Sequence, residues 1–162
     1  MNSKSRKIFL TLFYSGLFPK APGTIGTIVS LFMAMALLQY FTITNLFMAS
    51  ILISILAIKQ INIYEKEVGV HDGKEIVIDE LAGMWIALSV ANVQADSYIL
   101  ALIAFVYFRL FDILKPSIIG RIDEEVEGGL GVMGDDIVAG FFAGLATVLT
   151  KYILITYFSF SL

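Results

Sequence analysis

The sequence predicts an all-α integral membrane protein with about four to five membrane helices in a single domain, residues 1–162. Hydrophobic residues make up 58% of the chain and charged residues only 15%, which is too little polar surface to cover a water-soluble domain of this size. The apolar segments have helical length and show no strict alternation, so strands are not expected. The bilayer is therefore the expected solvent for most of the surface.

The composition also excludes several kinds of site. The chain has no cysteine, so a disulfide, a thiolate nucleophile and a zinc–thiolate site are all impossible. His71 is the one histidine, which rules out metal sites that need several histidines. The formal net charge is -3, whereas a nucleic-acid partner requires a basic surface, so we expect no nucleic acid among the partners.

The first element is an N-terminal segment that imitates a secretory signal. Lys4, Arg6 and Lys7 precede an apolar stretch over residues 8–18. Two prolines and Lys20 follow where a signal peptide would have a cleavage site between small residues. We therefore expect an uncleaved segment at the membrane interface, with a cleaved signal as the alternative.

The next two elements are helices that form a hairpin. No charge occurs from residue 21 to residue 58, a run of 38 residues. As a helix this run would be about 57 Å long, close to two crossings of a hydrocarbon core about 30 Å thick. A polar break at residues 42–45 interrupts it, which predicts two membrane helices over about 24–41 and 44–61.

Two shorter uncharged runs, residues 81–95 and 97–108, predict a second hairpin with its turn at 92–97. Each run is too short to span a bilayer unless flanking charged residues join the helix. The charged residues at the helix ends are then Asp79 and Glu80 for the third helix, Arg109 and Asp112 for the fourth, and Asp135 and Asp136 at the start of a last helix that runs to about residue 158.

The basic residues predict the orientation of the bundle. Lys and Arg are concentrated before the first helix and in two motif loops, around residues 59–80 and 109–135, whereas the turns at 42–45 and 92–97 contain none. By the positive-inside rule the N-terminus and both motif loops face the cytoplasm.

This layout brings the charged motifs to one depth. Glu80 lies 14 residues before the turn at Gln94, about 21 Å of helix, and Asp112 lies 16 residues after Asp96, about 24 Å. The start of the first helix and the start of the last helix face the same end. Ionisable residues at membrane depth are costly and are functional candidates by default. The candidates at this level are Thr24, Asp79, Glu80, Arg109, Asp112, Lys115, Asp135 and Asp136.

The residue types favour metal-dependent phosphoryl chemistry. Paired carboxylates without a histidine cluster suit a hard cation such as Mg²⁺. Arg109, Asp112 and Lys115 have the spacing i, i+3, i+6, so they occupy one side of a helix end. Arg and Lys beside a carboxylate-held cation form a clamp for phosphate.

Each feature also has a simpler interpretation. Asp135 and Asp136 would cap the last helix, where negative charge meets the positive end of the helix dipole. Arg109 and Asp112 would form a structural ion pair. Lys115 would extend along apolar surface to the membrane interface. The residues expected in solvated loops are His71, Glu124, Glu125 and Glu127.

The stretch GGLGVMGDDIVAG, residues 128–140, contains the pattern G-x-G-x-x-G before Asp135 and Asp136. A dinucleotide-binding fingerprint needs a strand before this pattern, but here an acidic loop precedes it and an apolar helix follows. The match is therefore accidental. The glycines are expected just before the last helix, where they let backbone amides approach an anion.

Four segments together resemble the phosphatidylglycerophosphatase A family, and they follow the family's order over most of the chain. The resemblance implies a Mg²⁺-dependent lipid phosphatase of the bacterial inner membrane that converts phosphatidylglycerophosphate to phosphatidylglycerol. The segments are APGTIGT at 21–27, IVIDELAGMW at 76–85, FRLFDILKP at 108–116 and DEEVEGGLGVMGDDIVAG at 123–140.

The resemblance also implies roles for individual residues. Arg109 and Lys115 would be phosphate ligands, and we add Thr24 because it faces the same end of the bundle. The implied metal and catalytic residues are Asp79, Glu80, Asp112, Asp135 and Asp136.

The predicted reaction uses a carboxylate-held Mg²⁺ that lowers the pKa of a bound water, and this water attacks the terminal phosphorus. The partners are the lipid substrate and the bilayer, and a homo-oligomer remains open. One alternative is a small membrane transporter or ion channel that uses intramembrane carboxylates, and another is an inactive membrane scaffold. A transport path needs carboxylates near mid-bilayer, so their predicted position at one interface favours the enzyme.

Overall fold

A computed structural model describes residues 1–69 and 73–158, so His71 lies outside the described residues. The described chain is all-helical, as predicted, with seven α-helices, one short 3-10 helix and no strand. The helices are α1 Ser3–Leu10, α2 Pro22–Leu37, α3 Ile43–Val68, α4 Ile78–Val90, α5 Tyr98–Leu114, α6 Ile118–Glu125 and α7 Gly129–Phe158, and the 3-10 helix is Ser15–Leu17.

Helix α3 continues to Val68, whereas hydropathy predicted an end near residue 61. Its last two turns are polar and are held by tertiary contacts. The Tyr64 hydroxyl donates to Glu75 Oε1 at 2.7 Å, and Asn62 Oδ1 accepts from the Gly129 amide at 2.6 Å. The apolar pattern therefore marks where the buried part of α3 ends, while packing decides where the helix itself ends.

Helix α7 begins at Gly129, six residues before Asp135, so neither Asp135 nor Asp136 is an N-cap. The capping interpretation is therefore wrong. The glycines permit the early start because this helix end approaches other backbone closely. A Cβ at Gly129 would overlap the backbone of Ile58, and Gly128 has a positive φ of 70°. The predicted motif loop over 109–135 also contains α6.

Helix α4 is the centre of the bundle and packs against α2, α3, α5 and α7. Close contact with α7 depends on facing glycines, since a Cβ at Gly140 would overlap the Gly83 carbonyl. The Trp85 indole donates to the Ser30 carbonyl at 2.9 Å and so connects α4 to α2. These contacts fix the position of the acidic N-terminus of α4.

The two turns without basic residues lie together at one end of the bundle. Gln39 Nε2, after α2, donates to the Ala95 carbonyl, before α5, at 3.3 Å. Because α2 and α4 run toward this end and α3 and α5 run away from it, the charged helix ends meet at the opposite one. The antiparallel arrangement expected from the sequence is therefore present.

Two helices, Ile43–Val68 and Gly129–Tyr157, are long and apolar enough to cross a membrane. The larger predicted number of four to five spans is not confirmed: α4 and α5 have 13 and 17 residues, fewer than the roughly 20 that a span needs. Large apolar side chains are nevertheless exposed along α3, α5 and α7, for example Leu52, Leu102 and Leu149. An exposed apolar surface of this extent suggests a membrane protein.

Candidate active site

Three carboxylates from three different helices meet at the charged end of the bundle. Glu80 lies in the first turn of α4, Asp112 in the last turn of α5, and Asp136 in the second turn of α7. One carboxylate oxygen from each lies within 4.8 Å of the others. Glu80 and Asp136 are buried, and Asp112 is half-buried. We refer to these three residues as the acidic cluster.

The acidic cluster lines a polar cavity of about 330 Å³. This volume lies within the range of small-molecule sites, about 300–1,000 Å³. Asp79 and Asp135, which the sequence also predicted for the site, line the same cavity. The lining residues are Asp79, Glu80, Asp112, Lys115, Asp123, Val126, Val132, Asp135 and Asp136.

Arg109 is bound to the acidic cluster. Its Nη1 donates to both oxygens of Glu80, at 2.7 and 2.5 Å, and lies 2.9 Å from Asp112 Oδ2. The ion pair between Arg109 and Asp112, which the sequence suggested as a simpler interpretation of these residues, is therefore present. Arg109 Nε is buried without a hydrogen-bond partner. A role for Arg109 as a phosphate ligand stays a prediction.

Lys115 closes the end of α5 in a left-handed conformation, with φ 43°. Its Nζ donates to Asp135 Oδ2 at 2.8 Å and also pairs with Asp123. Burial disfavours the charged ammonium, but the hydrogen bonds to Asp123 and Asp135 outweigh it and raise the pKa of Lys115. The side chain is therefore a permanent cation inside the cavity rather than a lysine that extends to the membrane interface.

Thr27 is a site residue that sequence reasoning did not identify. It is fully buried, and its Oγ1 lies 2.7 Å from Glu80 Oε2 and accepts a hydrogen bond from Arg109 Nη1 at 3.0 Å. Thr24, the predicted phosphate ligand, is half-buried and is not among the residues that line the cavity. Both threonines belong to the same short motif, and the sequence has no signal that distinguishes them.

Asp123 is the second residue that was missed, although it lies within one of the quoted segments. Sequence reasoning assigned it no role, but helix α6 places it at the cavity beside Lys115. A charged residue next to three other acidic residues, as in DEEVE, has no distinguishing pattern in the sequence.

The donor atoms of the cavity suit a metal ion. The acidic cluster offers only carboxylate oxygens, which are the ligands that hard divalent cations prefer. Asp135 Oδ1, in the same cavity, is buried and has no hydrogen-bond partner. A buried acceptor without a partner costs free energy unless a cation or a hydrogen-bond donor binds to it. The residues present therefore fit a bound cation.

Comparison with known proteins adds independent information. A family model described as phosphatidylglycerophosphatase A matches residues 8–151. The chain is 35% identical to phosphatidylglycerophosphatase A of Haemophilus influenzae over 140 residues, 86% of this chain and 85% of the relative. It is 38% identical to phosphatidylglycerophosphatase A of Escherichia coli K12 over 130 residues, 79% of this chain and 73% of the relative.

A third relative differs in its named substrate. A protein of Bacteroides thetaiotaomicron, named as a candidate phosphatidylinositol-3-phosphatase, is 32% identical over 148 residues, 89% of this chain and 92% of the relative. All three names describe phosphatases that act on phospholipids. No solved structure shows a significant match to this chain.

Proposed function

The chain belongs to the phosphatidylglycerophosphatase A family, and from this we propose that it hydrolyses phosphatidylglycerophosphate to phosphatidylglycerol and phosphate. The observation that carries the proposal is the meeting of Glu80, Asp112 and Asp136 in a polar cavity at one end of an apolar helical bundle. A polar cavity of this size suits a phosphorylated headgroup, and the apolar surface suits a substrate that stays in the bilayer.

The charge of the cavity supports a requirement for a divalent cation. Of the nine described residues that line the cavity, six are carboxylates and Lys115 is the one cation. A phosphate monoester would be repelled by this excess of negative charge unless cations neutralise it. We propose that Glu80, Asp112 and Asp136 hold Mg²⁺. When bound there, Mg²⁺ would supply Lewis-acid stabilisation of phosphoryl charge and a lowered pKa for a coordinated water.

The two basic residues have separate proposed roles. Lys115 lines the cavity, so its ammonium can turn from Asp123 and Asp135 toward a phosphate oxygen. Arg109 lies behind the acidic cluster, where its guanidinium orients Glu80 and Asp112 and offsets their mutual repulsion. Both cations would stabilise negative charge that develops on the transferred phosphoryl group.

Asp135 is the proposed acceptor for the proton of the attacking water. Its Oδ1 is buried in the cavity and has no hydrogen-bond partner, while its Oδ2 is held by Lys115. One oxygen is therefore fixed and the other is available, which is the arrangement that a positioned general base requires. Asp79 lines the same cavity, and its Oδ1 accepts from the Glu80 amide at 2.9 Å, so it also orders the start of α4.

We further propose a bacterial inner-membrane location with the cavity at the cytoplasmic face. Helices α3 and α7 are the candidate spans, and the basic residues concentrate at the cavity end of both hairpins. A transporter or channel is not favoured, since the carboxylates gather at one end of the bundle rather than along a path through it.

A phosphoinositide is the second candidate substrate, because the relative from Bacteroides thetaiotaomicron carries that name. The test is phosphate release by the purified protein from phosphatidylglycerophosphate and from phosphatidylinositol 3-phosphate, each with Mg²⁺ and with chelator. We expect Mg²⁺-dependent release from the first lipid and much slower release from the second. Faster release from the phosphoinositide would reassign the substrate, and release unaffected by chelator would contradict the metal.

A further inference from the structure

The segment over residues 13–18 presents large apolar side chains to the surface. Phe13, Tyr14, Leu17 and Phe18 are 70%, 46%, 47% and 54% exposed. We call this segment the aromatic turn. Its neighbours Leu10 and Leu12 are buried, so the chain is anchored while the aromatic side chains point outward.

The backbone at the start of the aromatic turn, together with the preceding Leu12, is held in a costly conformation. Leu12, Phe13 and Tyr14 have φ values of 44°, 55° and 71°, in the left-handed region that side-chain-bearing residues rarely adopt. Three such residues in a row persist only where the surrounding structure imposes them. Two of the three are aromatic residues that keep much of their surface exposed, so burial within the protein offsets only part of this cost.

The chain segment that contains the aromatic turn is basic. The first 20 residues contain Lys4, Arg6, Lys7 and Lys20 and no acidic residue, although the whole chain has a net charge of -3. Arg6 is buried and pairs with Glu67, but the three lysines are exposed. Exposed aromatic residues with lysines around them are typical of segments that lie in the headgroup region of anionic membranes.

The aromatic turn is attached to the residues that lead into the candidate site. The Val77 amide donates to the Leu10 carbonyl at 2.9 Å, and a Cβ at Gly16 would overlap the Glu75 carbonyl. Residues 75–77 directly precede Asp79 and Glu80. The aromatic turn therefore lies at the cavity end of the bundle, opposite the two turns that contain no basic residue.

We infer that the aromatic turn and its three exposed lysines form a membrane-interface anchor that binds anionic lipid headgroups. A bilayer is favoured over a second copy of the chain, because three lysines on each copy would repel one another across a shared interface. If the proposed function holds, the anchor also sets the depth of the cavity at the level of the substrate phosphate. The anchor itself does not depend on the reaction.

The anchor can be tested by fluorescence quenching in vesicles that contain brominated phospholipids. Trp85 is the one native tryptophan; it is buried, so the unsubstituted protein supplies the background. Phe13→Trp and Phe18→Trp place new tryptophans in the aromatic turn, and Glu124→Trp places a matched one on the exposed face of α6. We expect quenching at positions 13 and 18 to exceed that at 124 by at least about twofold, with bromines near the headgroup most effective, as for interfacial segments about 5–10 Å deep.

The lipid charge is tested in the same variants. With Lys4→Gln, Lys7→Gln and Lys20→Gln combined in the Phe13→Trp protein, quenching should fall in vesicles with phosphatidylglycerol and stay unchanged in vesicles of phosphatidylcholine alone. Quenching at position 13 no stronger than at 124 would overturn the anchor, as would cross-linking of two copies through cysteines at 13 and 18. Equal quenching in both kinds of vesicle, with or without the lysines, would overturn the preference for anionic lipid. Each outcome is independent of phosphatase activity.

Discussion

Arg109 and Glu80 form a buried ion pair that joins α5 to α4 within the acidic cluster. Nη1 of Arg109 contacts both oxygens of Glu80, and the two side chains are only 13% and 9% exposed. The Glu80 carboxylate, a proposed Mg²⁺ ligand, is thus bound by the guanidinium of Arg109. Thr27 Oγ1 contacts both side chains. The pair combines a structural role with the proposed catalytic one, and the two roles predict different outcomes for paired substitutions.

Arg109→Gln should destabilise the protein by about 3–5 kcal/mol, because it leaves the buried Glu80 carboxylate without its cation. Arg109→Gln combined with Glu80→Gln should recover part of the stability, since the buried Glu80 charge is removed together with its partner and only the half-buried Asp112 still loses an ion pair. Activity should not recover, because Glu80 is also a proposed Mg²⁺ ligand. Thermal unfolding and phosphate release per folded molecule separate the two effects, and an active double variant would remove Glu80 from the metal site.

Asp112→Asn and Asp136→Asn should each reduce the rate by at least about two orders of magnitude, as expected for loss of a transition-state charge partner. Mg²⁺ should also raise the unfolding temperature of the unsubstituted protein, because a ligand that binds only the folded state stabilises it. Neither variant should show this shift. Asp96→Asn, on the exposed turn at the opposite end, is the matched control and should behave as the unsubstituted protein. Two active Asn variants would contradict the proposed metal ligands.

Lys115→Met removes the charge but keeps an apolar stem, so we expect the protein to insert and fold while activity falls by about two orders of magnitude. Lys115→Arg should retain part of the activity, since it preserves the cation in the cavity. Phosphate release per correctly inserted molecule is the measurement. An active Lys115→Met protein would show that Lys115 contributes nothing to phosphate binding.

The pH dependence of stability gives a separate test of the Lys115 environment. The pKa of Lys115 is raised in the folded state, so its contribution is fully present below the unfolded pKa and is lost as pH rises through the folded value. The stability difference between the unsubstituted protein and Lys115→Met should therefore be constant from neutral pH to about pH 10 and shrink only above it. Unfolding of both proteins by denaturant, from neutral pH to above about pH 10, measures this stability difference. A difference that shrinks near neutral pH would contradict the two carboxylate contacts.

Thr27→Val is nearly isosteric but removes the hydroxyl between Glu80 and Arg109, so we expect about a tenfold loss of activity and a higher Mg²⁺ requirement. Thr27→Ser should restore both. Thr24→Val tests the residue that the sequence suggested, and a loss confined to the KM for lipid would support its predicted contact with phosphate. Equal effects of the Val and Ser substitutions at position 27 would indicate that only packing matters there.

The proposed orientation can be measured with single cysteines, because the chain has none of its own. Cysteines at Lys66 and Arg121, both exposed at the cavity end, should be labelled from the cytoplasmic side. A cysteine at Asp96, on the opposite turn, should be labelled from the periplasmic side. The reverse pattern would place the cavity on the outer face and contradict the proposed location.

The sequence alone determined that the protein is helical and that its charged motifs share one end. Both follow from local properties of the chain. An uncharged run of a given length forms a helix whose length follows from the rise per residue, and two antiparallel helices of similar length bring their outer ends to the same end of the bundle. The residue types in those motifs also led to the prediction of a hard divalent cation, since carboxylate oxygens without histidine or cysteine are the ligands that such ions prefer.

Only the tertiary structure decided which side chains meet. Thr24 and Thr27 lie in one motif, yet the rotation of α2 against α4 brings Thr27 to Glu80. Helix α7 begins at Gly129 because its glycines fit against the backbone of α3, a contact between residues that are far apart in the chain. Asp123 reaches the cavity because α6 folds back on α7. Such contacts depend on how whole helix surfaces fit together, and that fit leaves no local pattern in the sequence.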